Sequence, residues 1–254
     1  MAFLWSVPQQ FIALRGSSSF HFVFFFFVKI STSAACVYPQ GADFKKDELM
    51  SQQLPVNAVE GLRLLKEGNH RFVNGMRSVD SMIRSRDLAE LAEKGQRPFA
   101  MVLACADSRV PIEILFDRGP GDIFVCRVAG NVATPAIMGS LEFAAENFGS
   151  SLLIVMGHTR CGAVKAALSL KEIPEGLSPN LKMVVDEIEP AARLGREFGE
   201  VTHENVDRTA WLNVQHTLDT IKKKSPVLAR LISDRKLTMV GALCNIENGS
   251  VRFE

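Results

Sequence analysis

Five residues in two short segments carry the chemistry readable from this chain. They are Cys105, Asp107 and Arg109 in one segment, and His158 and Cys161 in the other. Each segment follows an apolar run, Phe99–Ala104 or Ser151–Gly157, that reads as a fully buried parallel strand. Open parallel sheets place their ligands in the crevice beyond the carboxyl ends of the strands. Two thiols and an imidazole delivered there form a donor set suited to zinc. Three protein ligands leave a fourth position open, the arrangement of a catalytic rather than a structural site.

Charge counting sharpens this expectation. Zinc with two thiolates and a neutral imidazole is net zero, and a further carboxylate would saturate the site. Arg109, two residues beyond Asp107, can pair with that carboxylate and hold it off the metal. In extended geometry Cys105, Asp107 and Arg109 would all face one side. A helix starting directly after Cys161 would favour the thiolate there. The open position then takes water, whose proton is lost more readily on zinc than in bulk, leaving a hydroxide nucleophile. Thiolates donate more charge than imidazoles, so turnover is expected to rise toward alkaline pH.

The elements that must position these residues follow from hydrophobic period and turn chemistry. Strands are expected at 99–104, 122–127, 151–157 and 237–243, with a short edge strand at 250–253. Helices are expected at 57–72, 84–94, 112–116, 135–147, 162–170, 181–198, 204–224 and 226–233, with Thr134 capping the one that opens at Pro135. Gly130-Asn131 reads as a turn. The alternation argues for an α/β fold whose sheet is covered on both faces, with a helical N-terminal arm packing on the domain or on a partner subunit.

Of the 254 residues, 47% are hydrophobic and 22% charged, the balance of a globular protein, and the formal net charge of +1 argues against nucleic acid or an anionic membrane as partner. The first 49 residues stand apart, holding nine of the 17 phenylalanines and no acidic residue before Asp43. The run Phe20–Val28 is far short of the roughly 20 residues a transmembrane span needs. Residues 1–49 therefore read as a leader outside the fold, and 50–254 as a single catalytic domain. Three origins for the leader stay open. It is an export signal with small residues before Cys36, itself a candidate for lipid modification, or an organellar transit peptide, or an artefact of a true start at Met50. The first places the protein outside the cytoplasm or in the periplasm; the last leaves it cytoplasmic. Cys126 and Cys244 lie in apolar runs as small buried hydrophobes. His70, His203 and His216 read as ordinary packing or surface residues.

The pattern Cys-x-Asp-x-Arg, then Arg127-Val-Ala-Gly-Asn131, then Gly157-His-x-x-Cys161-Gly resembles the β-class carbonic anhydrases, over nearly all of 57–254. The resemblance implies a twisted, mostly parallel sheet of four core strands plus an edge strand, flanked by helices. It also implies one Zn2+ per subunit on Cys105, His158 and Cys161, with Asp107 and Arg109 as a catalytic dyad. Phe124, Ala129, Phe143 and Gly162 fall where the family lines its CO2 pocket. The implied reaction is reversible hydration of carbon dioxide to bicarbonate and a proton. The implied assembly is a homodimer or a dimer of dimers, the arm embracing the neighbour. Two positions depart from the family pattern: Phe143 replaces a tyrosine of some members, and Cys244-Asn245 a Tyr-Asp pair. Val102 stands where the subgroup that closes its site with a non-catalytic bicarbonate has tryptophan, so the open form, Asp107 on Arg109, is expected. Rival readings are hydrolysis of carbonyl sulfide or carbon disulfide, a catalytically silent zinc-binding subunit, and a thiol redox protein using Cys105 and Cys161.

Overall fold

The structure is a computed structural model that describes residues 56–76, 85–170 and 176–254; the leader and Cys36 lie outside the described residues. Strands β1 (Ala100–Ala104) and β3 (Leu152–His158) are buried at every position, as expected for central parallel strands. With β2 (Ile123–Arg127), β4 (Thr238–Cys244) and β5 (Val251–Phe253) they form one sheet in the order β2-β1-β3-β4-β5. The first four run parallel, and β5 closes the edge antiparallel to β4.

Alternation along the strands divides the core into two layers. Ala100, Val102, Ala104, Leu152, Ile154 and Met156 pack with Leu65 of α1 (Ala58–Val73) and with Ile112 and Leu115 of α3 (Ile112–Leu115). Met101, Leu103, Leu153 and Val155 face α4 (Pro135–Phe148), α7 (His203–Lys224) and α8 (Pro226–Ser233) through Leu141, Val214 and Leu228. A third cluster joins α5 (Gly162–Ser169) and α6 (Pro179–Arg196) to the first turns of α7, and both Cys105 and Cys161 lie in it. The short α2 (Ser85–Lys94) completes the helices of the described residues. None of them is long and apolar enough to cross a membrane.

The strand order supplies what periodicity could not. The chain leaves β1 for β2 on one side, then crosses back to β3 on the other. The carboxyl ends of β1 and β3 therefore flank a topological switch point, where an α/β sheet opens a crevice. Cys105 and His158 stand at those two ends.

Two local expectations change, and the arm makes one of its two expected packings. The sixth helix opens at Pro179, two residues before Leu181, because the Ser178 hydroxyl accepts the Leu181 amide at 3.2 Å and Pro179 starts the helix without needing a donor. Thr134 occupies the N-cap of α4, but its side chain makes no cap hydrogen bond. The arm α1 rests on its own domain: the Asn69 amide donates to the Leu115 and Gly249 carbonyls at 3.1 and 2.8 Å, and its oxygen accepts the Val251 amide at 2.9 Å.

Candidate metal centre

Cys105 follows β1 directly, and His158 is the last residue of β3. One residue further, the Thr159 amide still bonds the Cys244 carbonyl at 2.9 Å, so the chain stays on the sheet until Arg160. Arg160 then turns left-handed, with φ 53°, a conformation costly for a residue with a Cβ. Its amide donates to the Asp207 carboxylate on α7 at 2.6 Å, and its guanidinium pairs with Glu247. This held turn delivers Cys161 to the head of α5, facing back toward Cys105.

The ligand atoms of Cys105, His158 and Cys161 all lie within 4.8 Å of one another, and all three residues are buried. Metal–ligand distances of about 2.0–2.3 Å space the corners of a tetrahedron about 3.5–3.8 Å apart, which this spacing accommodates. His158 Nδ1 lies 2.9 Å from the Thr159 carbonyl, which can only accept, so Nδ1 carries the proton. Nε2 is left with a bare lone pair, buried and without a hydrogen-bond partner. A buried, unsatisfied acceptor is costly, and here it points where two thiols converge. A soft divalent cation fits this donor set, and zinc fits it best.

Their surroundings push the two thiols in opposite directions. Cys105 is held well below its usual range, chiefly because the Cys161 thiol donates to it, with the amide of Gly130 adding to the effect. Cys161 is pushed up by the same interaction and by burial, against the pull of the Ala163 and Val164 amides at the helix start. The helix start thus favours the thiolate at Cys161, as its position implies, but the neighbouring Cys105 and burial outweigh it.

Asp107 and Arg109 stand beside the triad, though not in extended geometry. The Val110 amide bonds the Asp107 carbonyl at 3.1 Å, closing a turn. The Arg109 amide bonds Asp107 Oδ1 at 3.0 Å, and the guanidinium takes both oxygens, Nε to Oδ1 at 2.9 Å and Nη2 to Oδ2 at 2.7 Å. An aspartate capturing the amide two residues on favours this turn over a continued strand. Arg109 holds the carboxyl far below the usual carboxylate range. Asp107 Oδ2 lies 3.8 Å from His158 Nε2, yet the group of mutually close ligand atoms contains only the three residues.

Residues 100–251 match the sequence model of the family described as Carbonic anhydrase. The chain is 37% identical over 195 residues to carbonic anhydrase 2 of Mycobacterium tuberculosis, covering 76% of this chain and 91% of that protein. The carbonic anhydrase of Mycolicibacterium smegmatis is also 37% identical, over 78% of this chain and 93% of its own length. Among solved structures, the β-carbonic anhydrase CcaA superposes with a TM-score of 0.59 at 27% identity, covering 76% of this chain and 86% of that one. The tetrameric β-carbonic anhydrases of Sordaria macrospora give 0.59 at 25% identity, over 67% and 86%. The chain belongs to the β-class carbonic anhydrases.

In this β-class carbonic anhydrase, the four positions expected to line the pocket fall in two places. Ala129 opens the 3₁₀ turn Ala129–Asn131 next to Gly130, whose amide reaches Cys105 Sγ at 3.4 Å, and Gly162 follows Cys161 directly. Phe124 and the half-exposed Phe143 instead join ring to ring through Phe148, at centroid distances of 6.0 and 5.5 Å. Phe124 packs in the layer beneath α4 rather than in the cluster that holds the thiols.

The residues behind the ligands had no role in the sequence reading, although Arg127 opens the Arg127–Asn131 motif. Arg127, ending β2, donates from Nε to the Cys105 carbonyl at 3.0 Å and from Nη2 to the Asp107 carbonyl at 2.5 Å. It thus fixes the segment carrying one ligand and the dyad. Asp207 and Asn213 on α7 were overlooked as well. A charge closing an apolar strand at the crevice end, and an asparagine inside the apolar stripe of a helix, were the available signals.

Proposed function

We propose that this β-class chain catalyses the reversible hydration of carbon dioxide to bicarbonate and a proton, with one zinc ion per subunit on Cys105, His158 and Cys161. The observation that carries the reading is the convergence of two buried thiols and the unpartnered Nε2 of His158, with Asp107 held beside them by Arg109. Zinc in such a site supplies a Lewis acid that makes coordinated water nucleophilic near neutral pH, behaviour for which carbonic anhydrases are the general example.

The protein's part is to position. Arg109 occupies both oxygens of Asp107, so the carboxylate stays an anion and off the metal position. With an ion held there, Oδ2, 3.8 Å from His158 Nε2, would be placed to accept a hydrogen bond from the nucleophile's O–H and so direct its free lone pair toward the incoming gas. Arg127 holds the backbone on which Cys105 and Asp107 sit. Buried Val132 and Val164 share the thiol cluster and keep bulk water from the ligands. Ala129 and Gly162, adjoining the ligands, form the side from which a small linear substrate approaches.

We further infer a homodimer or a dimer of dimers. The Sordaria relatives are tetrameric, and Val59, Val73 and Leu88 expose apolar side chains along the first two helices. Light scattering of the purified chain tests the assembly. For the reaction, elemental analysis of metal content is combined with stopped-flow CO2 hydration before and after chelation. Stoichiometric zinc and hydration lost with its removal are expected; hydration indifferent to chelation overturns the reading. Faster turnover of carbonyl sulfide than of CO2 would reassign the substrate.

A further inference from the structure

Helix α7 touches the backbone behind both ligand-bearing segments, and it does so with two polar side chains that contact no metal ligand. Asp207 holds the Arg160 amide in the His158–Cys161 turn. Asn213 is wholly buried within the apolar stripe formed by Val206, Ala210, Val214 and Ile221. Its Nδ2 donates to the Gly130 carbonyl at 2.7 Å, while the Gly130 amide donates to Cys105 Sγ at 3.4 Å.

We propose that Asn213 is a positioning residue for the metal centre, acting on Cys105 through the backbone of Gly130. Gly130 and Asn131 are consecutive left-handed residues, with φ 70° and 46°. The left-handed φ is free for Gly130 but costly for Asn131, which keeps it only where its surroundings over-determine it. From behind, Ile188 Cδ1 lies 2.5 Å from where a Cβ on Gly130 would be, so the turn cannot retreat that way. Asn213 fastens the Gly130 carbonyl, beside the Asn131 amide's bond to the Val128 carbonyl at 3.0 Å. The position of α7 is in turn set by β3, because the missing Cβ of Gly157 lets Val214 come to 2.8 Å of that point, one residue before His158. Asn213 therefore ties the N–H that serves Cys105 to the strand that carries His158. An amide donated to a thiolate withdraws charge from sulfur, disfavours its protonation and fixes the direction of its remaining lone pairs.

The proposal rests on the triad holding zinc. Loss of a direct outer partner of a ligand costs about 10–100-fold in metal affinity; Asn213 acts one bond further out, so full-length Asn213→Ala should bind zinc about three- to tenfold more weakly in chelator competition. Its cobalt(II) form should show a shifted thiolate-to-metal absorption band, while its thermal unfolding stays cooperative. In the wild-type protein loaded with cadmium-113, the Gly130 amide proton should show scalar coupling to the metal through the Cys105 sulfur. Folded Asn213→Ala with wild-type zinc affinity and an unmoved cobalt band overturns the assignment. Absence of the Gly130–cadmium coupling in wild type overturns it too, whether or not the variant folds. A zinc-replete wild type with either result leaves the proposed function standing, whereas a wild type that takes up no zinc sinks both.

Discussion

Arg109 holds Asp107 with three N–H groups, its own backbone amide at 3.0 Å and the guanidinium Nε and Nη2 at 2.9 and 2.7 Å. The pair is local in sequence but bidentate in geometry, a fit that the point charge of lysine cannot reproduce. Arg109→Lys and Arg109→Ala should therefore retain stoichiometric zinc while losing about 10–100-fold in CO2 hydration. Metal analysis beside stopped-flow rates checks this, and unchanged rates in Arg109→Ala would remove the dyad from the mechanism.

Each thiol of the triad should be indispensable for the metal. Cys105→Ser and Cys161→Ser replace a soft charged donor with a hard neutral one. Their zinc affinity should fall by more than the about 100-fold that marks loss of an outer partner, with hydration falling in step. Equilibrium dialysis against zinc buffers gives the readout; a zinc-loaded, active serine variant at either position contradicts the ligand set.

Hydration should increase from pH 7 to pH 9. Two thiolates leave the ion less able to acidify water than three imidazoles would, and Asp107, held far below the usual carboxylate range by Arg109, does not titrate there. Initial rates in matched buffers test this, and a flat or descending profile over that interval speaks against the thiolate-rich site.

Cys126 and Cys244 should resist alkylation in the native protein. Burial pushes their thiols up to about 11 and about 12, and the thiolate is the reactive form. The sign for stability follows: a thiol whose folded pKa is raised stabilises the fold below its ordinary value, and that contribution is lost as pH rises through the folded value. Unfolding free energy should thus decline between about pH 9 and 12. Peptide mapping after iodoacetamide treatment at pH 8 decides the first point; native labelling at either cysteine would refute it.

Asn69→Ala should destabilise the domain without touching the chemistry. It strands two carbonyls and one amide that Asn69 now satisfies between α1, α3 and β5. Orphaned buried groups cost about 1–3 kcal/mol each, and partial access to water brings the expected total to about 3 kcal/mol. Urea unfolding measures it; a loss under 1 kcal/mol would mean that α1 is not pinned there.

Cys105, Asp107, Arg109, His158 and Cys161 were legible from residue type and spacing, and the buried runs before them as parallel strands, because period and side-chain chemistry are local properties. The same locality misled where distant groups compete. Arg109 was placed on an extended segment that closes into a turn, and the helix end that favours a thiolate at Cys161 competes there with the neighbouring Cys105 and burial.

What the sequence determined by itself is the donor set and the two strands that carry it. Only the tertiary structure decided that β1 and β3 are neighbours at a switch point, that α1 rests on its own domain, and that Arg127, Asp207 and Asn213 fasten the ligand-bearing turns. Asn213 is 83 positions along the chain from Gly130, and such a bond is set by how a helix packs on the sheet, which no local pattern encodes.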